Sequence, residues 1–321
     1  MQRLAALAFA LAFAVIAAPH GRADDYPSKP IRLIIGFPPG SAADITARLV
    51  GDSMSKTLGQ QIIVEARTGA GSSLAAEAVA RSPADGYTLF IGTSSNVTNA
   101  AVNPKLRFDF AKDFAPVTAL TGLPLILAVH PTLGVSSFQE LIALARSRPG
   151  ELTYASVGVG TVPHLACELI AVRTNVKLVH VPYQGSPPAV TDLLAARVSM
   201  MLGVASTMLP HIEAGKIKAL ATGSAKRPHA APNLPTIAEA GLPDFETSVW
   251  FGLVAPAGTP RLVVDKLAAA ANKALKDNDV VEKLRRQGFE PLGGSPDEFA
   301  QFIQRELVKW SAAARAAGLK Q

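Results

Sequence analysis

The sequence has little cysteine, few aromatic residues and few charges. One cysteine among 321 residues excludes a disulfide framework and any zinc or iron–sulfur site built on several cysteines. Charged residues make up 17% of the chain and aromatic residues 6%, whereas 49% are hydrophobic. A composition this apolar excludes a chain that is disordered over its whole length. The length predicts about two domains, each large enough to bury a core.

The charge is mildly basic and spread along the chain. Against 25 Asp and Glu there are 31 Lys and Arg, a formal net charge of +6. The densest basic run, 283–286, is typical of the exposed face of a late helix. Because no basic stripe is interleaved with aromatic residues, we expect no nucleic-acid partner.

The N-terminus has the three parts of a secretory signal peptide. Met1-Gln2-Arg3 is a short positive region, 4–18 is apolar and uncharged, and Gly21-Arg22-Ala23 places small residues before a cleavage site. We therefore expect a signal peptide over 1–23, with cleavage after Ala23. A retained anchor helix is the alternative, but the apolar run is shorter than the ~20 residues that span a bilayer. In a bacterium the exported chain is expected in the periplasm.

From residue 31 onward, short apolar runs alternate with helical stretches. Strands are predicted at 31–36, 62–66, 88–92, 125–129, 153–156, 178–181, 199–202, 219–222 and 249–255, and helices at 42–58, 73–81, 138–146, 162–172, 188–197 and within 261–316. This alternation is typical of α/β proteins with parallel sheets. We predict two lobes, 24–123 with 249–321 and 124–248. Ligands of such sheets bind beyond the carboxyl ends of the strands.

The first candidate loop, 36–44, joins a predicted strand to a predicted helix. Its glycines allow close approach of a ligand, and the N–H groups of the helix start can bind a carboxylate or phosphate without a cationic side chain. Ser41 and Asp44 also have the spacing of a capping box, and Asp44 and Arg48 that of a helix ion pair. Capping and ligand contact are compatible, and the sequence leaves both open.

Two further loops have a similar character. The loop 156–164 has two glycines and places Thr161 and Pro163 at a helix start. It is not a dinucleotide fingerprint, because Pro163 stands where that motif requires a glycine. The loop 181–188 offers Tyr183 as an aromatic wall or hydrogen-bonding phenol. Asp192 follows in the next helix as an acceptor for a ligand; alternatively, it lies on an exposed turn or caps a neighbour.

Catalytic and metal-binding patterns are missing from the sequence. There is no G-x-S-x-G, no G-x-x-x-x-G-K-[ST] and no H-E-x-x-H. His164, Cys167 and Glu168 share a helical face, but one helix rarely supplies a complete metal site, and a buried cysteine behaves as a small apolar residue. The other histidines, His180 among them, have no hydroxyl or carboxylate partner at a suggestive spacing. We expect no catalytic residue, metal or cofactor, and these absences disfavour a secreted hydrolase.

An ordered set of short segments carries a resemblance to a known family. The segments are 30–40 with Asp44 and Arg48, 69–71, 84–89, Gly160-Thr161 with His164, 181–183 with Asp192, 234–236 and 250–260. Over essentially the whole mature chain the sequence resembles the Bug family of extracytoplasmic solute receptors, which includes receptors of tripartite tricarboxylate transporters. The resemblance implies an α/β fold: a two-lobed periplasmic binding protein of type II, or Venus flytrap, with a cleft between its lobes.

The resemblance also implies where a ligand is held. Family members bind a ligand carboxylate through the first loop and the Gly-Thr loop, largely by backbone groups and ordered water. Asp192 and the end of the third predicted strand, near Thr93 and Ser94, are implied to contact the distal part of the ligand. The candidate ligand-binding residues are Phe37, Gly40, Ser41, Ala42, Asp44, Thr93, Ser94, Ser156, Gly160, Thr161, His164, Tyr183 and Asp192. The chain departs from the family in having Gly40-Ser41 instead of Gly-Gly, and in a reduced glycine cluster at 69–73.

By this resemblance the protein is expected to be a receptor and not an enzyme. It would capture a small organic acid and deliver it to the membrane permease subunits of a tripartite tricarboxylate-type transporter. A mono- or dicarboxylate is favoured over a tricarboxylate, because no arginine cluster flanks the loops. The alternative is a ligand-sensing receptor of a signalling system with no transport role. We expect a monomer whose lobes close over the ligand.

Overall fold

The computed structural model describes residues 26–103, 105–316 and 318–319; the predicted signal peptide lies outside them. The strands are β1 (Ile31–Ile35), β2 (Ile62–Ala66), β3 (Thr88–Thr93), β4 (Phe114–Val129), β5 (Thr153–Ser156), β6 (Val179–Pro182), β7 (Met200–Val204), β8 (Lys218–Thr222), β9 (Ser248–Pro256) and β10 (Glu290–Gly293). The helices are α1 (Ala42–Leu58), α2 (Ser73–Ala80), α3 (Ser94–Val102), α4 (Phe138–Ser147), α5 (Val162–Thr174), α6 (Ser186–Leu194), α7 (Ala205–Glu213), α8 (Arg261–Ala274), α9 (Asn278–Arg286) and α10 (Pro296–Ala316).

The strands form one mixed sheet in the order β2-β1-β3-β9-β4-β7-β5-β6, and β8 and β10 pair with β4. Strands β1, β2 and β3 are parallel to one another, as are β5, β6 and β7. Between these groups, β9 and β4 are antiparallel to their neighbours. The prediction of parallel strands therefore holds for the two outer groups. It is wrong for β4 and β9, the long strands that pass between them.

Strand β4 belongs to both parts of the sheet. Its residues from Phe114 to Pro124 pair with β9, and those from Leu125 to Val129 pair with β7. We call the part with β2, β1, β3 and β9 the first half, and the part with β7, β5 and β6 the second half. The predicted lobe boundaries stay a prediction, whereas the change of partner along β4 is a feature of the structure.

Helices cover both faces of the sheet, as alternate strand residues show. In β1, Ile35 packs toward α1 and α8, whereas Ile34 packs toward α2 and α3. In β4, Leu127 belongs to the same layer as Ile34, whereas Ile126 packs with α6 and α7. On one face a continuous apolar layer thus extends over both halves. On the other face each half has its own core.

Helix α10 is fixed to β9 through a buried carboxylate. Glu306 accepts a hydrogen bond from Nε1 of Trp250 at 3.2 Å and from Nε1 of Trp310 at 3.0 Å. Trp250 lies on β9, opposite Gly122 of β4. These are the two tryptophans of the sequence. Both therefore lie where the chain crosses between the halves.

The structure adds elements that the sequence did not predict. They are α3, α7, β10 and the part of β4 before Leu125. Within the described ranges, no helix combines the length and the apolar character needed to cross a bilayer.

Candidate functional site

Both groups of parallel strands end at loops that carry predicted ligand residues. In the first half, β1 is followed by 36–41, β2 by 67–72, and β3 directly by α3. In the second half, β5 is followed by 157–161 and β6 by 183–185. Because the carboxyl ends of parallel strands share an edge of the sheet, the loops of each half lie side by side.

Asp44 holds the first loop in place. Its Oδ2 accepts from the Gly40 N–H at 2.9 Å, its Oδ1 from Nε of Arg48 at 2.9 Å, and its own N–H donates to Oγ of Ser41 at 3.3 Å. The Ser41 cap and the ion pair are confirmed, whereas the second bond of a capping box is not made: the Ser41 N–H donates to Pro38 O, and Asp44 accepts from Gly40 instead. The first N–H groups of a helix have no intrahelical partner, so those of Ala42 and Ala43 remain available to a ligand. Asp44 itself is buried.

The segment after β2 packs against the first loop. A Cβ atom at Gly36 would lie only 1.9 Å from Oγ of Ser72, so residue 36 has to be glycine. Nδ2 of Asn99, on α3, donates to Ala70 O at 3.3 Å and lies 2.9 Å from Oγ of Ser73. Ser72 and Asn99 are not among the site residues predicted from the sequence. The one feature of the sequence that could have drawn attention to Ser72 is the reduced glycine cluster at 69–73.

Ser156 and His164 support the second loop. The Gly160 N–H donates to Nδ1 of His164 at 3.1 Å, and the Gly158 N–H donates to Oγ of Ser156 at 3.2 Å. Oγ1 of Thr161 donates to Gly158 O at 2.7 Å. The structure therefore brings four predicted residues of this loop together. Ser156 and His164 therefore accept hydrogen bonds from the loop itself, and their contact with a ligand stays a prediction.

His180 completes this support from the neighbouring strand. Its ring centroid lies 4.1 Å from that of His164 and 4.9 Å from that of Tyr154. Its Nε2 lies 2.6 Å from Oγ of Ser156. The sequence spacing showed no hydroxyl partner for His180, and its partner Ser156 lies 24 residues away along the chain. The pairing of β5 with β6 places Tyr154 beside His180 and brings Ser156 within reach, a proximity that spacing along the chain does not show.

Burial favours the neutral form of both histidines. It lowers the pKa of His164, and burial together with the neighbouring His164 lowers the pKa of His180 to about 4. A neutral His164 can accept the Gly160 N–H, which a charged imidazolium cannot do. A serine hydroxyl hydrogen-bonded to a histidine, as in the Ser156–His180 pair, is also the arrangement of a catalytic nucleophile and its general base. However, a base with so low a pKa is weak, and Ser156 is buried and bonded to the loop backbone.

The third loop is tied to the helix that follows it. Tyr183 donates its phenol hydrogen to Oδ2 of Asp192 at 2.7 Å, and Nη1 of Arg197 donates to Oδ1 at 2.9 Å. These two bonds, that of Tyr183 first, lower the pKa of Asp192. Burial and the same bond raise the pKa of Tyr183 to about 12. Asp192 thus bonds its own neighbours, as one of the two readings of the sequence allowed, and its contact with a ligand stays a prediction.

Thr93 and Ser94 lie at the start of α3. The Thr93 N–H donates to Oδ1 of Asn96 at 2.9 Å, and the two residues form a capping box. Both Thr93 and Ser94 are buried at the same edge of the sheet as the first loop. The structure therefore groups them with Gly40, Ser41 and the other first-loop residues.

The two halves touch at the second loop. A Cβ atom at Gly160 would lie 2.9 Å from Cγ2 of Val102 and 3.1 Å from Oδ1 of Asn99, both on α3. Gly160 also has a φ of +77°, a conformation that glycine adopts without steric cost. The loop after β5 is therefore in direct contact with the helix after β3, so the second loop lies against the first half.

Other parts of the chain lend this site no independent support. Cys167 is free and buried in the apolar core, as expected. In the described part of the chain no group of His, Cys, Asp or Glu is arranged to hold a metal ion. Two surface hollows of about 300 and 430 Å³, near Leu209 and Asn272, are lined by none of the candidate ligand residues. The candidate site therefore rests on the geometry of the loops.

Comparison with known proteins identifies the family. The model of the tripartite tricarboxylate transporter family receptor, TctC, matches residues 46–319. Protein BugT of Bordetella pertussis is 38% identical over 319 residues, 99% of this chain and 98% of that protein. An R. palustris protein solved with adipate is 38% identical, with a TM-score of 0.84 and coverage of 92% of this chain and 99% of that one. MatC from Rhodopseudomonas palustris, solved with bound malate, is 34% identical, with a TM-score of 0.80 and coverage of 90% and 99%.

These matches extend over nearly the whole described chain. Its mixed α/β fold is that of periplasmic solute-binding proteins, among them BugD, which is 29% identical with a TM-score of 0.82. Family and fold are thus those of binding proteins and not of enzymes. The chain belongs to the TctC family of tripartite tricarboxylate transporter receptors, which includes the Bug proteins.

Proposed function

We propose that this protein is a periplasmic receptor that captures a small mono- or dicarboxylate and delivers it to the permease of a tripartite tricarboxylate-type transporter. One observation carries the proposal: the starts of α1 and α5 follow equivalent loops in the two halves, and the second of these loops touches the first half. A helix start binds anions through its N–H groups and its partial positive charge. The adipate and malate seen in two relatives are ligands of this class.

In this proposal neutral backbone groups bind one carboxylate. On the first loop the donors are the N–H groups of Ala42 and Ala43, because the Gly40 N–H is already bonded to Asp44. On α5, Pro163 has no N–H, so the backbone donors are those of Val162 and His164. Arg48 is neutralised by Asp44 and does not supply a free cation.

Lobe closure couples binding to delivery. A carboxylate that contacts both loops stabilises the arrangement in which they lie together, and so shifts the open–closed equilibrium toward the closed form. The contact of Gly160 with Asn99 and Val102 is the kind of contact that such a closed form requires. The permease would then distinguish loaded from empty receptor by the distance between the halves.

A thermal-shift screen of the mature chain, starting at Asp24, tests the binding proposal. A ligand that binds only the folded protein raises its melting temperature. We expect shifts with adipate, malate or related acids, and none with adipamide, the neutral diamide of adipate. Shifts with neutral sugars or oligopeptides alone would contradict the carboxylate proposal. Uptake of the bound acid by a strain lacking the gene tests delivery, because a receptor used only for sensing would leave uptake unchanged.

A further inference from the structure

The carboxyl ends of the two groups of parallel strands face each other. Strand β3 ends at Thr93, which pairs with Phe251 of β9 and through it lies level with Thr121 of β4. Strand β7 runs in the opposite direction and ends at Val204, which pairs with Leu125 of β4. The two ends are thus close to each other along β4, and the loops that follow them border the space between the halves.

These loops are almost free of charge. Between the strand ends and the helices that follow them, Arg67 is the one charged residue. The uncharged stretches extend into the helices and cover 36–43, 68–76, 93–103, 157–163, 183–191 and 204–210. In the whole chain 17% of the residues are charged. A carboxylate ligand explains why Asp and Glu are missing, because they would repel it, but not why Lys and Arg are missing, because they would attract it.

Several residues of the uncharged stretches are apolar and exposed. Pro38 and Pro39 in the first half are exposed, as are Leu74, at 55%, and Val159 of the second half, at 67%. We call these four residues the mouth surface. Burial would explain an absence of charge, but these side chains lie in solvent. Single exposed apolar residues need no explanation, whereas a group of them on one uncharged surface indicates a contact with another molecule.

The mouth surface extends across the contact between the halves. Leu74 follows Ser73, whose Oγ lies 2.9 Å from Nδ2 of Asn99. Val159 precedes Gly160, where a Cβ atom would lie 3.1 Å from Oδ1 of the same Asn99. Leu74 and Val159 therefore lie on opposite sides of one contact, each next to a residue that touches Asn99. A partner that covers both side chains binds best when the halves are together.

We propose that the mouth surface is the docking site of the membrane permease, which covers Leu74 and Val159 of the closed receptor with an uncharged, apolar face of its own. This inference rests on the proposed function, in which the acid passes from the receptor to the permease. The acid leaves between the loops that carry this surface, so the permease has to lie over them. Absence of both signs of charge fits this role, because the core of a protein interface is depleted in charged residues.

Uptake by spheroplasts of a strain lacking the receptor gene tests the docking site. The purified mature receptor is added at increasing concentration with labelled adipate or malate, whichever gives the larger thermal shift. The concentration that gives half-maximal uptake then reports docking. Leu74→Gln keeps the size of the side chain and adds no charge that would act on the acid. Because a buried leucine contributes strongly to an apolar contact, we expect this concentration to rise about fivefold or more, with calorimetric affinity for the acid unchanged.

Leu262→Gln is the matched control. Leu262 is 69% exposed and is the second residue of α8, as Leu74 is the second residue of α2. It lies outside the mouth surface, so this variant should require the same receptor concentration as the wild type. Val159→Thr keeps the shape of the side chain and replaces one methyl group by a hydroxyl. It should raise the concentration less than Leu74→Gln does, and the double variant should raise it most.

The outcomes separate this inference from the proposed function. Half-maximal uptake at the same concentration for Leu74→Gln and the wild type overturns the docking site, as does an equal rise for Leu262→Gln. An equal loss of calorimetric affinity in Leu74→Gln would place Leu74 in the acid site instead. A wild type that dimerises in light scattering, and a Leu74→Gln that does not, would assign the surface to a second copy of the chain. If the wild type binds the acid but drives no uptake, the proposed delivery fails first.

Discussion

The loop after β1 and the loop after β5 occupy equivalent places in the two halves, but different chemistry supports them. The first is held by Asp44, a carboxylate paired with an arginine whose side chain is 54% exposed. The second is held by His164 and Ser156, which are buried, with the half-buried His180 beside them. One loop therefore depends on an ion pair near solvent, whereas the other depends on imidazoles whose neutral form is favoured by burial.

The largest difference between the two loops is that the second contacts the other half of the molecule and the first does not. Gly40 and Gly160 have nearly the same φ, +78° and +77°, but a Cβ atom meets nothing within 4 Å at Gly40 and meets Val102 and Asn99 at Gly160. The backbone strain of an alanine, about 1–2 kcal/mol, is therefore common to both positions. Only at Gly160 does the added methyl group separate the second loop from α3.

We expect Gly160→Ala to weaken ligand binding about fivefold or more beyond the effect of Gly40→Ala, because overpacking adds about 1 kcal/mol or more to the closed form. The acid that gives the largest thermal shift would serve as the ligand in calorimetry. Gly40→Ala is the matched control for backbone strain. Equal affinities of the two variants would show that the contact with α3 does not contribute to the bound form.

Acid should weaken the second-loop support. The pKa of His180 is lowered from its usual 6.5 to about 4, so between these values the unfolded chain binds more protons than the folded one, and stability falls as the pH falls. Because the His180 ring is only partly buried, we expect its protonation over this pH range to remove about 1–2 kcal/mol from the free energy of unfolding. His164, whose pKa is also lowered by burial, acts in the same direction.

Denaturant unfolding across this pH range measures the effect. His180→Gln abolishes the titration, so its stability should fall less steeply with acid than that of the wild type. His229→Gln, at an exposed histidine, is the control and should follow the wild type. If wild type and His180→Gln lose stability in parallel, His180 does not supply the pH dependence.

Removing the ion pair that supports the first loop should have the smallest effect on the free energy of unfolding. Asp44→Asn keeps an acceptor for the Gly40 N–H and removes the charge that faces Arg48. Since a pair with one exposed partner contributes little, the free energy of unfolding should fall by less than about 1 kcal/mol, and added salt should reduce the difference. Asp279→Asn, in the exposed pair with Lys283, provides the comparison for a pair away from the site. A loss that salt does not change would contradict an electrostatic role.

Local patterns were enough to predict the elements of the first loop. Helix α1 and strand β2 have the predicted bounds, and the Ser41 cap and the Asp44–Arg48 pair each join residues no more than four apart. Capping and ion pairing act along one helix turn, so sequence spacing reports them directly.

Elements with weak local signals were missed. Helix α3 reads Ser-Ser-Asn-Val-Thr-Asn at its start, residues with low helix propensity, and the Thr93–Asn96 capping box sets where it begins. Helix α7 contains Pro210. In β4 the residues before Leu125 include Pro116 and Pro124, which disfavour a strand on local grounds. Their neighbours in the sheet stabilise these segments, and the linear sequence does not show those neighbours.

Contacts between segments that are distant along the chain could not be predicted from the sequence either. Ser156 and His180 are 24 residues apart and meet only because β5 and β6 are paired. The contact of Ser72 with Gly36 likewise depends on two adjacent loops. Motif spacing therefore identified the candidate loops, but not the side chains that support them or the buried hydroxyls beside them.

Because both tryptophans bond to the carboxylate of Glu306, the intrinsic fluorescence of the protein reports on this one place. Both indoles bond to that one group, so all tryptophan emission of the molecule originates at the point where β9 runs alongside β4. A rearrangement of that crossing alters the surroundings of both indoles, because both donate to Glu306. Stopped-flow fluorescence would thus time the proposed lobe closure without any introduced dye.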